Sequence, residues 1–126
     1  MILYIAGPMT GIVGFNYRSF YDAAVLLRDD GYSVINPCER DPAEVQIAAW
    51  SSDTGNWADL PYPVDQLLPE IIQQNVDDVM SCDGIALLPG WENSTGARME
   101  VALAERISIP TLKVSTWLEL TAVHHE

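Results

Sequence analysis

One glutamate, Glu100, occupies a position where a carboxylate is costly. Residues 93–106 have helical spacing, and Glu100 falls on their apolar face. This face contains Gly96, Met99 and Leu103 and continues to Ile107. A carboxylate that packs toward a sheet is unfavourable unless it is paired or reacts. Stabilisation by the helix dipole is the structural alternative, but with Ser94 as N-cap Glu100 lies beyond the first helical turn. The position therefore favours a reactive carboxylate.

The start of the same helix has the features of an anion site. Ser94 is a good N-cap, and the free amides of a first helical turn bind anionic groups. Gly96 costs about 1 kcal/mol relative to alanine inside a helix, so it is usually retained where something must approach the backbone closely. We expect both residues to contact a ligand.

The elements that position these residues follow an alternating order of strands and helices. Strands are predicted at 2–6, 32–35, 85–88 and 109–114, and helices at 17–30, 42–50, 64–80, 93–106 and 116–123. This order predicts a single α/β domain over residues 1–126, an open parallel sheet of four to five strands flanked by helices, of flavodoxin or Rossmann type. Ligands bind beyond the carboxyl ends of strands in such sheets. The glycine-bounded loop at 7–11 and the loop at 91–96 should both lie at that edge.

The third helix carries a polar residue on its apolar stripe. Asn75 lies on the face formed by Leu68, Ile71, Ile72, Val76 and Val79. A buried amide needs hydrogen-bond partners, so Asn75 either bonds a neighbouring backbone group or points into a pocket.

Residues 38–63 form the least regular part of the chain and are interpreted as a lid-like segment. Trp50, Trp57 and Tyr62 lie in it. They are candidates for stacking on a heterocycle, and equally for anchoring the segment or filling an oligomer contact.

Composition limits the classes of partner. Eighteen acidic and six basic residues give a net charge of −12, which opposes binding to polymeric nucleic acid. Cys38 and Cys82 are expected to be buried, reduced thiols of a cytoplasmic protein. No metal site is expected. The adjacent histidines 124 and 125 could bind a metal, but such a pair is more typical of an unstructured end. The apolar N-terminus is too short for a membrane span.

Three stretches carry a resemblance to a known family. YIAGPMTG at 4–11, NP at 36–37 and PGWENSTGARME at 89–100 resemble small phage and bacterial proteins similar to nucleoside 2-deoxyribosyltransferases and 2'-deoxynucleoside 5'-monophosphate N-glycosidases. The resemblance covers nearly the whole chain except residues 38–63. It implies that Glu100 attacks the anomeric carbon of a sugar, that no cofactor is needed, and that the protein forms a homodimer or larger homo-oligomer.

The resemblance also implies roles for other residues. Ser94 stands where the monophosphate glycosidases have serine and the nucleoside transferases have aspartate, which favours a nucleoside monophosphate. Asn75 stands where these enzymes carry an aspartate that assists the nucleophile or the leaving base, and an amide cannot supply a proton. Either the leaving base needs no strong acid, or Asp77, Asp78, Glu92 or a water substitutes, or the protein binds without turnover. The expected substrate contacts are Gly7, Met9, Thr10, Gly11, Trp91, Ser94 and Gly96.

Two functions from different classes therefore remain open. The first is hydrolysis or transfer at the N-glycosidic bond of a nucleotide or nucleoside. The second is nucleotide binding without turnover, which the substitution of Asn75 for an acid motivates. A protein-interaction role for the tryptophan-bearing segment is a third and weaker hypothesis.

Overall fold

Four parallel strands form the centre of the fold. In the computed structural model, which describes residues 1–124, they are β1 (Ile2–Ala6), β2 (Ser33–Ile35), β3 (Gly84–Leu87) and β4 (Thr111–Lys113). Their order in the sheet is β2-β1-β3-β4, and every neighbouring pair is parallel. The predicted open parallel sheet is confirmed, with four strands. The histidine pair considered for a metal site extends to His125, which lies outside the described residues.

Within residues 1–124, five α-helices flank the sheet. They are α1 (Tyr17–Asp29), α2 (Ala43–Ser51), α3 (Val64–Ser81), α4 (Thr95–Arg106) and α5 (Val114–His124). The predicted helix positions are confirmed to within two residues at each end, because the apolar periodicity and the local stop signals agree. Gly31, for example, follows α1 with a φ of +95°, a conformation that glycine adopts without strain.

The alternation of side chains along β1 divides the core into two layers. Leu3 and Ile5 pack with α1 and α5, whereas Tyr4 and Ala6 face the side covered by α3 and α4. All four side chains are almost completely buried. A tyrosine hydroxyl is therefore carried into the layer between the sheet and α4, where it requires a hydrogen-bond partner.

The buried face of α4 differs from the predicted one by about one residue. Its buried side chains are Ala97, Glu100, Val101 and Ala104. Gly96 is exposed, and Ile107, predicted to lie on the buried face, is 37% exposed and lies just beyond the helix. The small alanines let the helix approach the sheet closely, so the larger residues Met99 and Leu103 are displaced to the edges of the contact. The prediction that Glu100 faces inward is confirmed.

The lid-like segment is joined to the loop after β1 by hydrogen bonds. The Gly11 amide donates to the Gly55 carbonyl at 2.9 Å, and the Gly14 amide donates to the Ser52 carbonyl at 2.7 Å. Gly55 must be glycine here, because its φ is +68° and a Cβ would lie 2.4 Å from the backbone of Ile12. We therefore describe residues 52–59 as a wall docked on this loop.

Both cysteines, Cys38 and Cys82, are buried free thiols, as predicted. Burial raises the pKa of the Cys38 thiol well above its ordinary value. Among residues 1–124, no helix combines the length and the hydrophobicity needed to cross a bilayer.

Candidate functional site

A cleft of about 520 Å³ opens at the carboxyl ends of β1 and β3. These two neighbouring strands continue into the loop after β1 and into the turn before α4, so both predicted glycine-containing segments reach the same cavity. The strand order also changes direction between β1 and β3, the place where ligands bind in open α/β sheets. The cleft is lined by Tyr4, Ile5, Gly7, Pro8, Met9, Thr10, Phe20, Pro37, Trp57, Leu68, Ile71, Ile72, Asn75, Asn93, Ser94, Thr95, Gly96, Ala97, Met99 and Glu100.

Glu100 lies at the inner part of this cleft and is only 6% exposed. Its Oε2 atom accepts a hydrogen bond from the Tyr4 hydroxyl, which β1 supplies from below α4. Sequence analysis did not assign a role to Tyr4. The available signal was a tyrosine within a fully apolar strand, since a buried phenol must find an acceptor.

Burial, with a smaller contribution from the negative charge of Asp78, raises the pKa of Glu100 to about 7, although the Tyr4 hydrogen bond opposes both effects. The pKa of Tyr4 itself is raised well above its ordinary value by burial and by Glu100. The phenol therefore stays protonated and donates to the carboxylate. A carboxyl group that titrates near neutral pH inside a cleft is typical of functional sites.

Replacing Tyr4 with phenylalanine is expected to raise the pKa of Glu100 by about one unit or more, because a hydrogen bond to a charged group contributes about 1.5–3 kcal/mol. The carboxyl ¹³C chemical shift of Glu100, followed against pH, measures this change. Tyr32→Phe is the matched control, since the Tyr32 hydroxyl donates to the Trp117 carbonyl instead. An unchanged or lowered Glu100 pKa in Tyr4→Phe would contradict a hydrogen bond from Tyr4 to the Glu100 carboxylate.

The first turn of α4 forms one wall of the cleft. The Ser94 hydroxyl oxygen accepts a hydrogen bond from the Ala97 amide at 3.2 Å, so Ser94 is the N-cap, as predicted. Its own proton remains able to donate. Among the described residues, a Cβ on Gly96 would meet only the Ser94 hydroxyl, at 4.0 Å, so no packing within this part of the chain explains the glycine.

The opposite wall comes from α3. Leu68 and Ile71 are half-buried and Ile72 is 37% exposed, so this part of the predicted core stripe lines the cleft instead. Asn75 is half-buried and also lines the cleft, which agrees with the second of the two alternatives for its amide. The stripe joins the core only at its carboxyl end, where Val79 is completely buried.

Of the three aromatic residues considered for stacking, only Trp57 lines the cleft. Its indole nitrogen donates to the Thr10 hydroxyl at 3.1 Å, which orients the ring. Trp50 packs against Tyr17 and Tyr21, with ring centroids 5.9 and 5.6 Å away. Tyr62 lies near Asp41 and does not line the cleft.

Seven of the nine predicted site residues line the cleft: Gly7, Met9, Thr10, Asn75, Ser94, Gly96 and Glu100. Gly11 is not among the lining residues, because its amide is directed to Gly55. Trp91 lies in a separate depression beside Lys113 and packs against the core layer between the sheet and helices α3 and α4. Its position in the turn Trp91–Asn93 turns the indole away from the cleft.

The cleft carries little charge of its own. Among the described residues that line it, none is lysine, arginine or histidine, and Glu100 is the only charged group. No cluster of three or more potential metal ligands occurs in the described part of the chain. A ligand here is therefore contacted by backbone amides, neutral polar groups and apolar side chains.

The fold and the cleft define a small α/β domain with a buried carboxylate at the carboxyl edge of its sheet. A family model matches residues 1–113, and the chain belongs to that family, which is described as domain of unknown function (DUF4406). Comparisons with curated proteins and with solved structures found no match.

Proposed function

We propose that this protein cleaves the N-glycosidic bond of a (deoxy)nucleoside 5'-monophosphate through a covalent glycosyl ester of Glu100. The observation that carries the proposal is the Glu100 carboxylate, buried in the cleft between the two glycine-containing segments and hydrogen-bonded by Tyr4. The resemblance of residues 4–11 and 89–100 to deoxyribosyltransferases and N-glycosidases supports the same reaction.

The reaction balances with Glu100 and water alone. A carboxylate oxygen forms a bond to C1' as the bond from C1' to the base nitrogen breaks, and the bonding electron pair leaves with the base, which takes a proton from water. The hydroxide left by that proton transfer then takes a proton from a second water as this water attacks C1'; the bond from C1' to Oε1 breaks, its electron pair returns to the carboxylate, and the sugar phosphate is released. A second base in place of that water would give transfer. We assign the attack to Oε1, because Tyr4 engages Oε2.

The first turn of α4 is the proposed contact for the sugar and its phosphate. Ser94 can donate its proton to a phosphate oxygen, and the amides near Gly96 can bind the same group. Since no basic side chain within the described part of the chain lines the cleft, a single phosphate is better accommodated than a di- or triphosphate.

The base would lie between α3 and the docked wall. Trp57 offers an aromatic face whose orientation is held by Thr10, and the half-buried Ile71 offers an apolar surface. Asn75 can hydrogen-bond a base edge in either direction, but it cannot supply a proton to the leaving group. Bases that leave readily without strong acid assistance are therefore the expected substrates.

Nucleotide binding without turnover is the second candidate, and Asn75 is the observation that favours it. A module of this kind would use the same cleft to sense or sequester a nucleotide. It predicts saturable binding in calorimetry with the ligand recovered intact, and equal binding by Glu100→Gln.

The decisive experiment is incubation of the protein with a panel of deoxynucleosides and their 5'-mono- and triphosphates, followed by chromatography of free base. We expect release from at least one monophosphate, and faster release than from the matching nucleoside or triphosphate. No release from any member, with binding retained, would favour the binding module. Neither release nor binding would reject both candidates.

A second prediction concerns Gly96, whose replacement should affect stability and ligand contact in opposite directions. Gly96→Ala is expected to stabilise the protein by about 0.5–1 kcal/mol, because alanine loses less backbone entropy in a helix and the new methyl meets open space. It should weaken binding of a deoxynucleoside monophosphate about tenfold or more, because the methyl occupies the ligand's side of α4. Urea denaturation and calorimetry measure the two effects, and unchanged affinity would contradict the proposed contact.

A further inference from the structure

Trp57 is the aromatic residue of the wall formed by residues 52–59, and its side chain lines the cleft. The residue is 37% exposed, so packing alone does not fix its ring. Its one polar side-chain atom, the indole nitrogen, donates to the Thr10 hydroxyl at 3.1 Å. The indole therefore offers the cleft an aromatic face rather than a hydrogen-bonding group, and the position of that face depends on what holds the wall.

The two halves of the wall are held differently. The first half is anchored to the loop after β1 through the carbonyls of Ser52 and Gly55, which accept backbone amides of that loop at 2.7 and 2.9 Å. The second half is the turn Trp57–Asp59, whose residues are exposed. The turn that carries the indole therefore needs a connection to the anchored half.

The Asp59 carboxylate makes this connection. Its Oδ2 atom accepts hydrogen bonds from the Ser52 hydroxyl at 2.7 Å and from the Thr54 hydroxyl at 2.9 Å. The same two hydroxyl oxygens accept the backbone amides of Gly55 at 3.0 Å and Asn56 at 3.1 Å. Hydrogen bonds to an ionised acceptor are stronger than those between neutral groups. Asp59 therefore closes the wall into one hydrogen-bonded unit, two residues away from the indole.

The face of Trp57 is suited to a flat aromatic ring. The cleft that it lines is also lined by the apolar side chains of Leu68, Ile71 and Ile72 from α3. A base that stacks on an aromatic side chain is bound through its face, whichever polar groups its edge carries. A side chain that is already held in position loses less conformational entropy when the ligand binds. The contacts that hold the wall should therefore contribute to affinity.

We propose that Asp59 is a positioning residue, which holds Trp57 as a preformed platform on which the base of a bound nucleotide stacks. The identity of the ring as a nucleotide base rests on the proposed function, whereas the positioning of Trp57 does not. Asp59 acts through the wall and does not touch the ligand. It should therefore affect the affinity for a ligand that carries a base, and leave the contacts of the sugar and phosphate unchanged.

The first measurement needs no ligand. Protein labelled with 5-fluorotryptophan gives a ¹⁹F resonance for each of its four tryptophans, and Trp57→Phe assigns that of Trp57. Asp59→Ala is expected to shift or broaden this resonance and to leave the other three in place. Asp53→Ala is the matched control, because Asp53 is an exposed aspartate of the same wall. A Trp57 resonance that is unchanged in Asp59→Ala, or that moves equally in Asp53→Ala, would overturn the proposal.

The second measurement separates the base from the sugar. Calorimetry compares the four common deoxynucleoside 5'-monophosphates with 2-deoxyribose 5-phosphate, which lacks the base. Trp57→Leu is expected to weaken binding of the nucleotides about tenfold. Asp59→Ala is expected to weaken it about two- to tenfold, because the indole is then ordered only on binding. The affinity for 2-deoxyribose 5-phosphate should be unchanged in both variants.

The outcomes distinguish this proposal from the proposed function. Equal losses of affinity for the nucleotides and for the sugar phosphate would overturn the stacking role of Trp57, and base release by wild type would still support the reaction. If wild type binds neither kind of ligand, the proposed function and the stacking role both fail. The resonance of Trp57 in the free protein then still decides whether Asp59 positions the indole.

Discussion

Glu100→Gln is expected to lower the rate of base release by at least about a thousandfold, as is typical when a covalent nucleophile is removed. An amide is a poor nucleophile toward C1', and no other side chain that lines the cleft within residues 1–124 carries a carboxylate. The substitution preserves shape, and the amide oxygen can still accept the Tyr4 hydrogen bond. Ligand affinity should therefore change much less than turnover. Single-turnover chromatography of free base measures the first quantity, and calorimetry measures the second.

The covalent intermediate provides an independent measurement of the same prediction. Wild-type protein quenched during turnover should carry the mass of a sugar phosphate on the peptide that contains Glu100, and Glu100→Gln should carry none. Glu105→Gln is the matched control, because Glu105 lies on the same helix and is exposed. A Glu100→Gln rate within tenfold of wild type would contradict nucleophilic catalysis by this residue.

The second large effect is on stability, and it depends on pH. The pKa of Glu100 is about 7 in the folded protein, against 4.5 for a glutamate that water surrounds, so the folded state binds more protons between these values. Stability contributed by this group is therefore fully present below about pH 4.5 and is lost as the pH rises through about 7. Once Glu100 is ionised, the loss amounts to about 3 kcal/mol.

Glu100→Gln removes this ionisation, so its advantage over wild type in the free energy of unfolding should grow by about 2–3 kcal/mol between about pH 5 and about pH 8.5. Urea denaturation at the two pH values measures the difference. Because other acidic groups titrate equally in both proteins, the comparison isolates Glu100. Glu105→Gln should show no such growth. An advantage that is constant or shrinks with pH would contradict the raised pKa.

Together, the two results would identify Glu100 as a group retained for activity at a cost in stability. The protein would be more stable and inactive with glutamine at this position, a relation expected of a preorganised reactive group. A structural glutamate gives the opposite combination, because replacement of a stabilising carboxylate lowers the free energy of unfolding and leaves turnover unaffected.

The sequence alone determined the order of the elements and the inward direction of Glu100. Both depend on local patterns. These are apolar runs for the strands, helical spacing for the helices, and Ser94 as the cap at which α4 begins. The meeting of the 7–11 and 91–96 segments at one edge was also predictable, because the carboxyl ends of parallel strands share an edge. Asn75 was identifiable as an amide out of place on its stripe, for which a backbone partner and a pocket both remained open.

The tertiary structure decided which side chains meet. Tyr4 and Glu100 are 96 residues apart in the chain, and Arg40 and Asp78 are 38 apart, so no local pattern pairs them. Only the packing of α3 against α4 over β1 makes Leu68 and Ile71 walls of a cleft rather than core, and only the turn before α4 directs Trp91 away from it. Periodicity depends on neighbours three or four residues away. The raised pKa of Glu100 depends on burial and charge contributed by three separate elements, which come together only when the chain is folded.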